Sequence, residues 1–244
     1  MTGILFVFGA IMGSFLNVVG LRWDSRDFGG RSICPNCFKK LRWFELIPIL
    51  SLLAQKGRCR SCGVKISYQY PLVEIWTGLI FITVPYIFIP VFCIYIIITI
   101  YDLKHKIIPD SLVYLAIFLS LGFRLFIWDL GFGIWDLAAG PIIFLFFAAI
   151  WLLSRGRAMG FGDAKLGLSV GLLLGAPESF SAIILAFWIG AFGSLAYIFL
   201  NKNGFIKNAK KLTMKSEVPF APFIVVAAWI SLVLNLNILH VASF

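Results

Sequence analysis

Residues 72–101 read LVEIWTGLIFITVPYIFIPVFCIYIIITIY, thirty positions with Glu74 as the single charged side chain. A helix needs about 20 apolar residues to cross a bilayer, so this stretch is either one long tilted helix or two short ones meeting near Pro85 and Pro90. The charge around it decides. With two helices, the polar segments 22–71, 103–109, 154–165 and 201–217 share one side and hold every Lys and Arg except Arg124, while Asp129, Asp136 and Glu178 fall on the other. A single helix inverts all that follows and exports half of the basic residues, against the retention of basic loops in the cytosol. Two helices are expected, each about 15 residues or 22 Å long, continued into the cytosolic layer through 67–71 and 102–106.

Working outward, further apolar runs cover 3–21, 111–128, 135–153, 164–175, 180–200 and 218–241. The first carries no basic segment before it and no evident cleavage site, so it reads as a retained span. The expectation is an all-α polytopic membrane protein of about eight transmembrane helices. It divides into a first helix (1–21), a small cytosolic zinc-ribbon-like loop domain (22–71) and a seven-helix transmembrane domain (72–244).

Composition agrees. The chain has 244 residues, of which 61% are hydrophobic and 13% charged, with mean hydropathy +0.96. Soluble domains hold about 45–50% apolar and about 25% charged residues, so this chain lacks the polar surface to be covered by water. A secreted disulfide scaffold, a nucleic-acid-binding domain and a single-anchor protein are excluded. The net charge of +10 is that of basic loops facing anionic membrane lipid.

Two aspartates stand at the cytosolic edge of apolar runs. Asp102 follows 93–101, CIYIIITIY, and Asp163 lies in Met159-Gly-Phe-Gly-Asp-Ala-Lys-Leu166. One ends a span and the other begins one on the same face, so they can meet. Two close carboxylates cannot both ionise comfortably; one keeps a proton while the other takes one from water. An aspartic peptidase needs that pairing. Gly160 and Gly162 fit it, because the missing Cβ allows a substrate strand to approach closely. Structural roles stay open beside these: Asp163 and Asp110 suit a helix N-cap, and Glu74 either snorkels to the interface or lines the site.

The cysteines carry a second signal. Cys34-Pro-Asn-Cys37 and Cys59-Arg-Ser-Cys62 are C-x-x-C pairs 21 residues apart, close to zinc-ribbon spacing. Cytosolic disulfides are disfavoured, and four thiolates around one Zn²⁺ organise a loop with little core of its own. Four protein ligands close the coordination sphere, so the metal is structural. Cys93, inside a span, reads as a small buried apolar residue. With His105 and His240 as the only histidines, neither a zinc peptidase helix motif nor a Ser-His pair has its parts. No P-loop is present. A polytopic transporter using buried Asp residues for ion or proton binding is the alternative, and a non-catalytic zinc-ribbon scaffold a third reading.

Taken together, the motifs resemble the bacterial prepilin peptidases, type IV prepilin leader peptidases of the GxGD class of membrane aspartic peptidases. The resemblance runs through Gly13-Ser-Phe-Leu-Asn-Val-Val19, both cysteine pairs, Glu45-Leu-Ile-Pro48, Tyr70-Pro-Leu-Val-Glu74, Asp102 with Ile108-Pro-Asp110, Gly160-Phe-Gly-Asp-Ala-Lys-Leu166 and Pro219-Phe-Ala-Pro222. It implies that Asp102 and Asp163 are the catalytic pair and that the substrates are type IV prepilins or pseudopilins. Their basic leaders are cut after a glycine at the cytosolic membrane face. It also implies that S-adenosylmethionine methylates the new N-terminus, an activity associated with the cysteine loop. The chain departs from the family pattern in carrying Phe38 after the first cysteine pair, where a glycine is common, and in the short link near Pro85. A basic leader approaching a basic enzyme needs a local acidic pocket, and Glu74 and Asp110 beside the pair are its expected members.

Overall fold

The computed structural model describes residues 2–24, 29–127, 134–202 and 219–238. The expected Asp129 turn, most of the basic segment 201–217 and the end of the run reaching Val241 lie outside the described residues. Nine helices are described: α1 (Thr2–Arg22), α2 (Leu50–Ala54), α3 (Gln69–Thr83), α4 (Ile89–His105), α5 (Asp110–Ile127), α6 (Ile134–Leu153), α7 (Phe161–Leu174), α8 (Ala176–Lys202) and α9 (Ala221–Leu234). Among the described residues there is no strand, only the isolated bridges Ile33–Lys40 and Arg58–Lys65.

The stretch 72–101 is broken where its prolines require. Val84 is extended (φ −94°, ψ 139°) and caps α3, as the residue before a proline must be, and a 3-10 turn at Tyr86–Phe88 leads into α4. Pro90 is the second residue of α4, where no N–H is missed. Pro71, Pro177 and Pro222 likewise sit in the first turns of α3, α8 and α9. Pro141 alone lies inside a helix.

Four segments are long and apolar enough to cross a membrane, Thr2–Arg22, Tyr86–His105, Ile134–Leu153 and Ala176–Ala196. The protein is therefore an all-helical multi-pass membrane protein. Length alone does not decide the expected eight crossings, because α3, α7 and α9, of 15, 14 and 14 residues, reach only about 21–22 Å at 1.5 Å per residue.

The chain forms two compact units, Met1–Ile100 and Tyr101–Phe244. In the first, small residues let α1 and α3 approach closely. A Cβ at Gly9 would stand 2.9 Å from Gly78 Cα, and one at Gly13 2.9 Å from Glu74 Cα. This is the small-xxx-small packing by which membrane helices associate without a hydrophobic drive. Asn17 Nδ2 donates to Gly13 O at 3.3 Å and to Tyr70 O at 3.5 Å, holding the end of α1 beside the start of α3.

The second unit repeats the device. A Cβ at Gly171 of α7 would lie 2.5 Å from Gly140 Cα of α6. Ser120 and Ser169 hydroxyls, 3.1 Å apart, join α5 to α7. Gly175, at φ +85°, turns the chain between α7 and α8 in a single residue. The core under the site is Ile143, Phe147, Ala164 and Ile183, with Phe180 and Phe220 packed against it.

Candidate active site and metal centre

Asp102 lies in the last turn of α4, within the second unit, and is 4% exposed; Asp163 lies in the first turn of α7 and is 7% exposed. The two carboxylates interact electrostatically. Each is also held by backbone. Asp102 Oδ2 accepts the N–H of Ala221 at 3.3 Å, at the head of α9, where the uncoupled amides and the helix dipole favour an anion. Phe220 fixes that backbone by packing its ring 5.2 Å from Phe187 and 6.3 Å from Phe147. Asp163 is not the N-cap of α7. That position is Gly160, and Asp163 stands three residues on, with its carboxylate hydrogen-bonded back to the Gly160 backbone.

The two glycines of the motif differ. A Cβ on Gly162 would fall 2.8 Å from Ile108 Cβ, so this glycine is required by the packing of α7 on the 106–109 turn. A Cβ on Gly160 would meet only Asp163 Oδ2, at 3.5 Å. The open side of Gly160, not Gly162, is where another chain has room.

Asp110 and Glu74 arrive already engaged. Asp110 is the first residue of α5 rather than its cap, is 64% exposed, and accepts a 2.7 Å hydrogen bond from Lys165 Nζ. Lys165 also lies 4.9 Å from the Tyr114 ring centre. Glu74, buried in the first unit, accepts the N–H of Ile49 at 2.9 Å. Ile49 caps α2, so Glu74 pins that short helix to α3.

The four cysteines converge within the first unit. Their sulfurs all lie within 4.8 Å of one another, Cys34 Sγ and Cys62 Sγ at 3.8 Å, and none forms a disulfide. Zn–S bonds of about 2.3 Å in a tetrahedron put sulfurs about 3.8 Å apart, so the donor set fits zinc. Two matching knuckles build it. Phe38 N–H donates to Cys34 O and Gly63 N–H to Cys59 O, both at 2.9 Å. Phe38 (φ 56°) and Gly63 (φ 70°) are both left-handed. Backbone N–H groups of Cys37 and Asn36 lower the Cys34 thiol from its usual range, and those of Val64 with the Asn36 side chain lower Cys62 to about 6. Both favour the thiolates that metal binding needs, whereas Cys37, in spite of the Lys39 N–H, is raised to about 11 by desolvation and the neighbouring cysteine side chains.

Sequence comparison adds the relationship. Residues 7–88 match the bacterial peptidase A24 N-terminal domain and residues 87–195 the type IV leader peptidase family. A prepilin leader peptidase/N-methyltransferase of Bacillus subtilis (strain 168) is 33% identical over 92% of this chain and 90% of its own length. The chain belongs to the type IV leader peptidase family. Proteins of the same description from Aeromonas hydrophila (29% identical over 94% of this chain and 89% of theirs) and Myxococcus xanthus (36% over 70% and 55%) are also similar. No solved structure matches. The transporter reading of the buried aspartates gains no support from these relatives.

Two features of this leader peptidase escaped the sequence reading. The Ala221 amide on Asp102 was signalled only by the Pro219-Phe-Ala-Pro222 motif, to which spacing assigns no partner. Lys165 stands inside the Gly-Asp-Ala-Lys run, but its pairing with Asp110 is visible only once α5 and α7 are side by side.

Proposed function

We propose that this leader peptidase cleaves the N-terminal leader of type IV prepilins or pseudopilins at the cytosolic face of the membrane, with Asp102 and Asp163 as the catalytic pair. The observation that carries the assignment is that two buried carboxylates, 61 residues apart in sequence, lie close enough to interact electrostatically. One carboxylate takes a proton from water while the other, protonated, donates to the scissile carbonyl. Each carboxylate accepts one backbone N–H, Asp102 from Ala221 and Asp163 from Gly160, and these hold the pair in place for either member to act as base while the other acts as acid. Gly160 offers the close approach a substrate strand needs; Gly162 keeps α7 seated on Ile108.

Asp102→Asn and Asp163→Asn should each abolish cleavage of a prepilin in lipid, read by mass of the product, while the protein remains folded. Cleavage retained by either variant refutes the pair.

Asp110, exposed at the head of α5, is proposed to exchange Lys165 for a basic residue of the leader, and Glu74 to hold the cysteine loop against α3. Asp110→Asn should then weaken processing at low salt and lose effect at high salt; equal kinetics at low salt rejects this role.

The relatives are also named N-methyltransferases, and N-methylation of the new N-terminus, with S-adenosylmethionine as methyl donor, is proposed here as the second activity. Zn²⁺ held by Cys34, Cys37, Cys59 and Cys62 supplies the fixed shape of the loop and takes no chemical step. Incubation of prepilin with and without S-adenosylmethionine distinguishes a clipped product from a clipped product one methyl group heavier.

A further inference from the structure

The cysteine loop wears its apolar residues outside. Trp43 is 77% exposed, and Leu50 and Leu53 of α2 are 63% and 67% exposed. No residue of α2 is buried. A five-residue helix does not hold in water by itself, and these two leucines, three apart, share one face of it. Around them the exposed charge is of one sign. Lys39, Lys40, Arg42, Lys56, Arg58, Arg60 and Lys65 are exposed, whereas Glu45, the one acidic residue described between 29 and 73, is buried and accepts the Arg42 N–H at 2.7 Å.

The height of this surface is set by Glu74. It lies five residues into α3, about 7.5 Å along the helix axis, and its bond to Ile49 N–H fixes the start of α2 at that level. Both ends of the loop emerge together, because Asn17 near the end of α1 holds Tyr70 at the start of α3. The leucines of α2 are thus kept beside α3 and near the end of α1, one of the four segments able to cross a membrane.

We propose that Trp43, Leu50 and Leu53 insert into the headgroup layer of an anionic phospholipid bilayer while Arg42, Lys56 and their basic neighbours meet its phosphates. Apolar groups flanked by Lys and Arg are what an interfacial site requires. A second copy of the chain would bring the same positive charge to the same face, and like charge disfavours it.

The full-length protein is reconstituted in vesicles of phosphatidylcholine alone and of phosphatidylcholine with phosphatidylglycerol. The emission of Trp43 is isolated as the difference between the native chain and Trp43→Phe. In the anionic vesicles this difference should be blue-shifted and quenched by shallow brominated lipid, and amides of 43–54 should exchange slowly. Both effects should shrink in high salt and in an Arg42→Gln/Lys56→Gln variant. Leu50→Ser/Leu53→Ser should lose the amide protection with zinc content unchanged. Quenching of Trp43 by aqueous acrylamide but not by brominated lipid overturns the proposal. So does burial that appears only at high protein-to-lipid ratio, which assigns the face to a second copy, or only on addition of prepilin, which assigns it to substrate.

Discussion

Phe38 occupies a place in the first knuckle that Gly63 occupies in the second. Both positions are left-handed and both N–H groups close the same turn onto a cysteine carbonyl. A residue with a Cβ in this conformation costs roughly 1–2 kcal/mol, and the Phe38 ring, largely exposed, returns little packing for it. The protein should purify with about one equivalent of zinc, and Cys34→Ser should lose it. Phe38→Gly should keep the metal and release it to a chelator more slowly, by an amount matching about 1 kcal/mol; faster release would show that the ring has a contact that outweighs its strain. The cysteine positions were legible in the sequence because a chelating pair is a local spacing. The left-handed strain at Phe38 was legible only as a departure from a pattern, since φ is not written in residue type.

At the scale of elements, the glycines of α1 and α7 decide how close two helices come. Gly9 and Gly13, and Gly167 and Gly171, are each four apart and turned toward a partner. Such i, i+4 spacing in apolar runs is itself a packing signal, present in the sequence independently of the glycines near Asp163. Gly171→Ala would force a methyl group onto the Gly140 backbone. Separation of α6 and α7 should cost about 1–3 kcal/mol, seen as a lower midpoint of thermal unfolding in detergent. Because Asp163 rides on α7, peptidase activity should fall as well. The break at Val84–Pro85 was legible from proline chemistry and charge bias together, and the break after residue 175 from the end of an apolar run; that Gly175 alone makes the second turn, with α8 starting at Ala176, was not, because a left-handed φ is not written in residue type.

Over the whole molecule, the charge pattern has one exception, and the fold accounts for it. Arg124 is the one basic residue that the eight-span topology puts on the outer side, yet it is not in a loop. It is 4% exposed, donates Nε–H to Leu172 O at 3.0 Å in the last turn of α7, and flanks Gly175 together with Asp136. Asp136 in turn accepts the N–H of Ala176, the first residue of α8, at 2.9 Å. Arg124 therefore closes the end of α7 and shares a buried site with a carboxylate. Arg124→Leu should leave the orientation of the loops unchanged, as read by labelling of introduced cysteines from either side. It should also lower stability by about 3 kcal/mol, because a buried acid loses its cation. An inverted topology in that variant would give Arg124 a role in orientation instead.

The sequence by itself determined that the chain is a helical membrane protein, that its thirty-residue apolar stretch breaks at Pro85, which segments are basic, and which two cysteine pairs and two aspartates are the candidates for its metal site and its chemistry. These are properties of composition and of neighbours a few residues apart, and the solvent reads them locally. The tertiary structure alone decided that Ala221 holds Asp102, that Lys165 answers Asp110, that Glu74 clasps the cap of α2 and that Arg124 meets α7. In each case a polar group buried among apolar helices takes whichever partner the packing delivers, and that partner comes from a distant part of the chain.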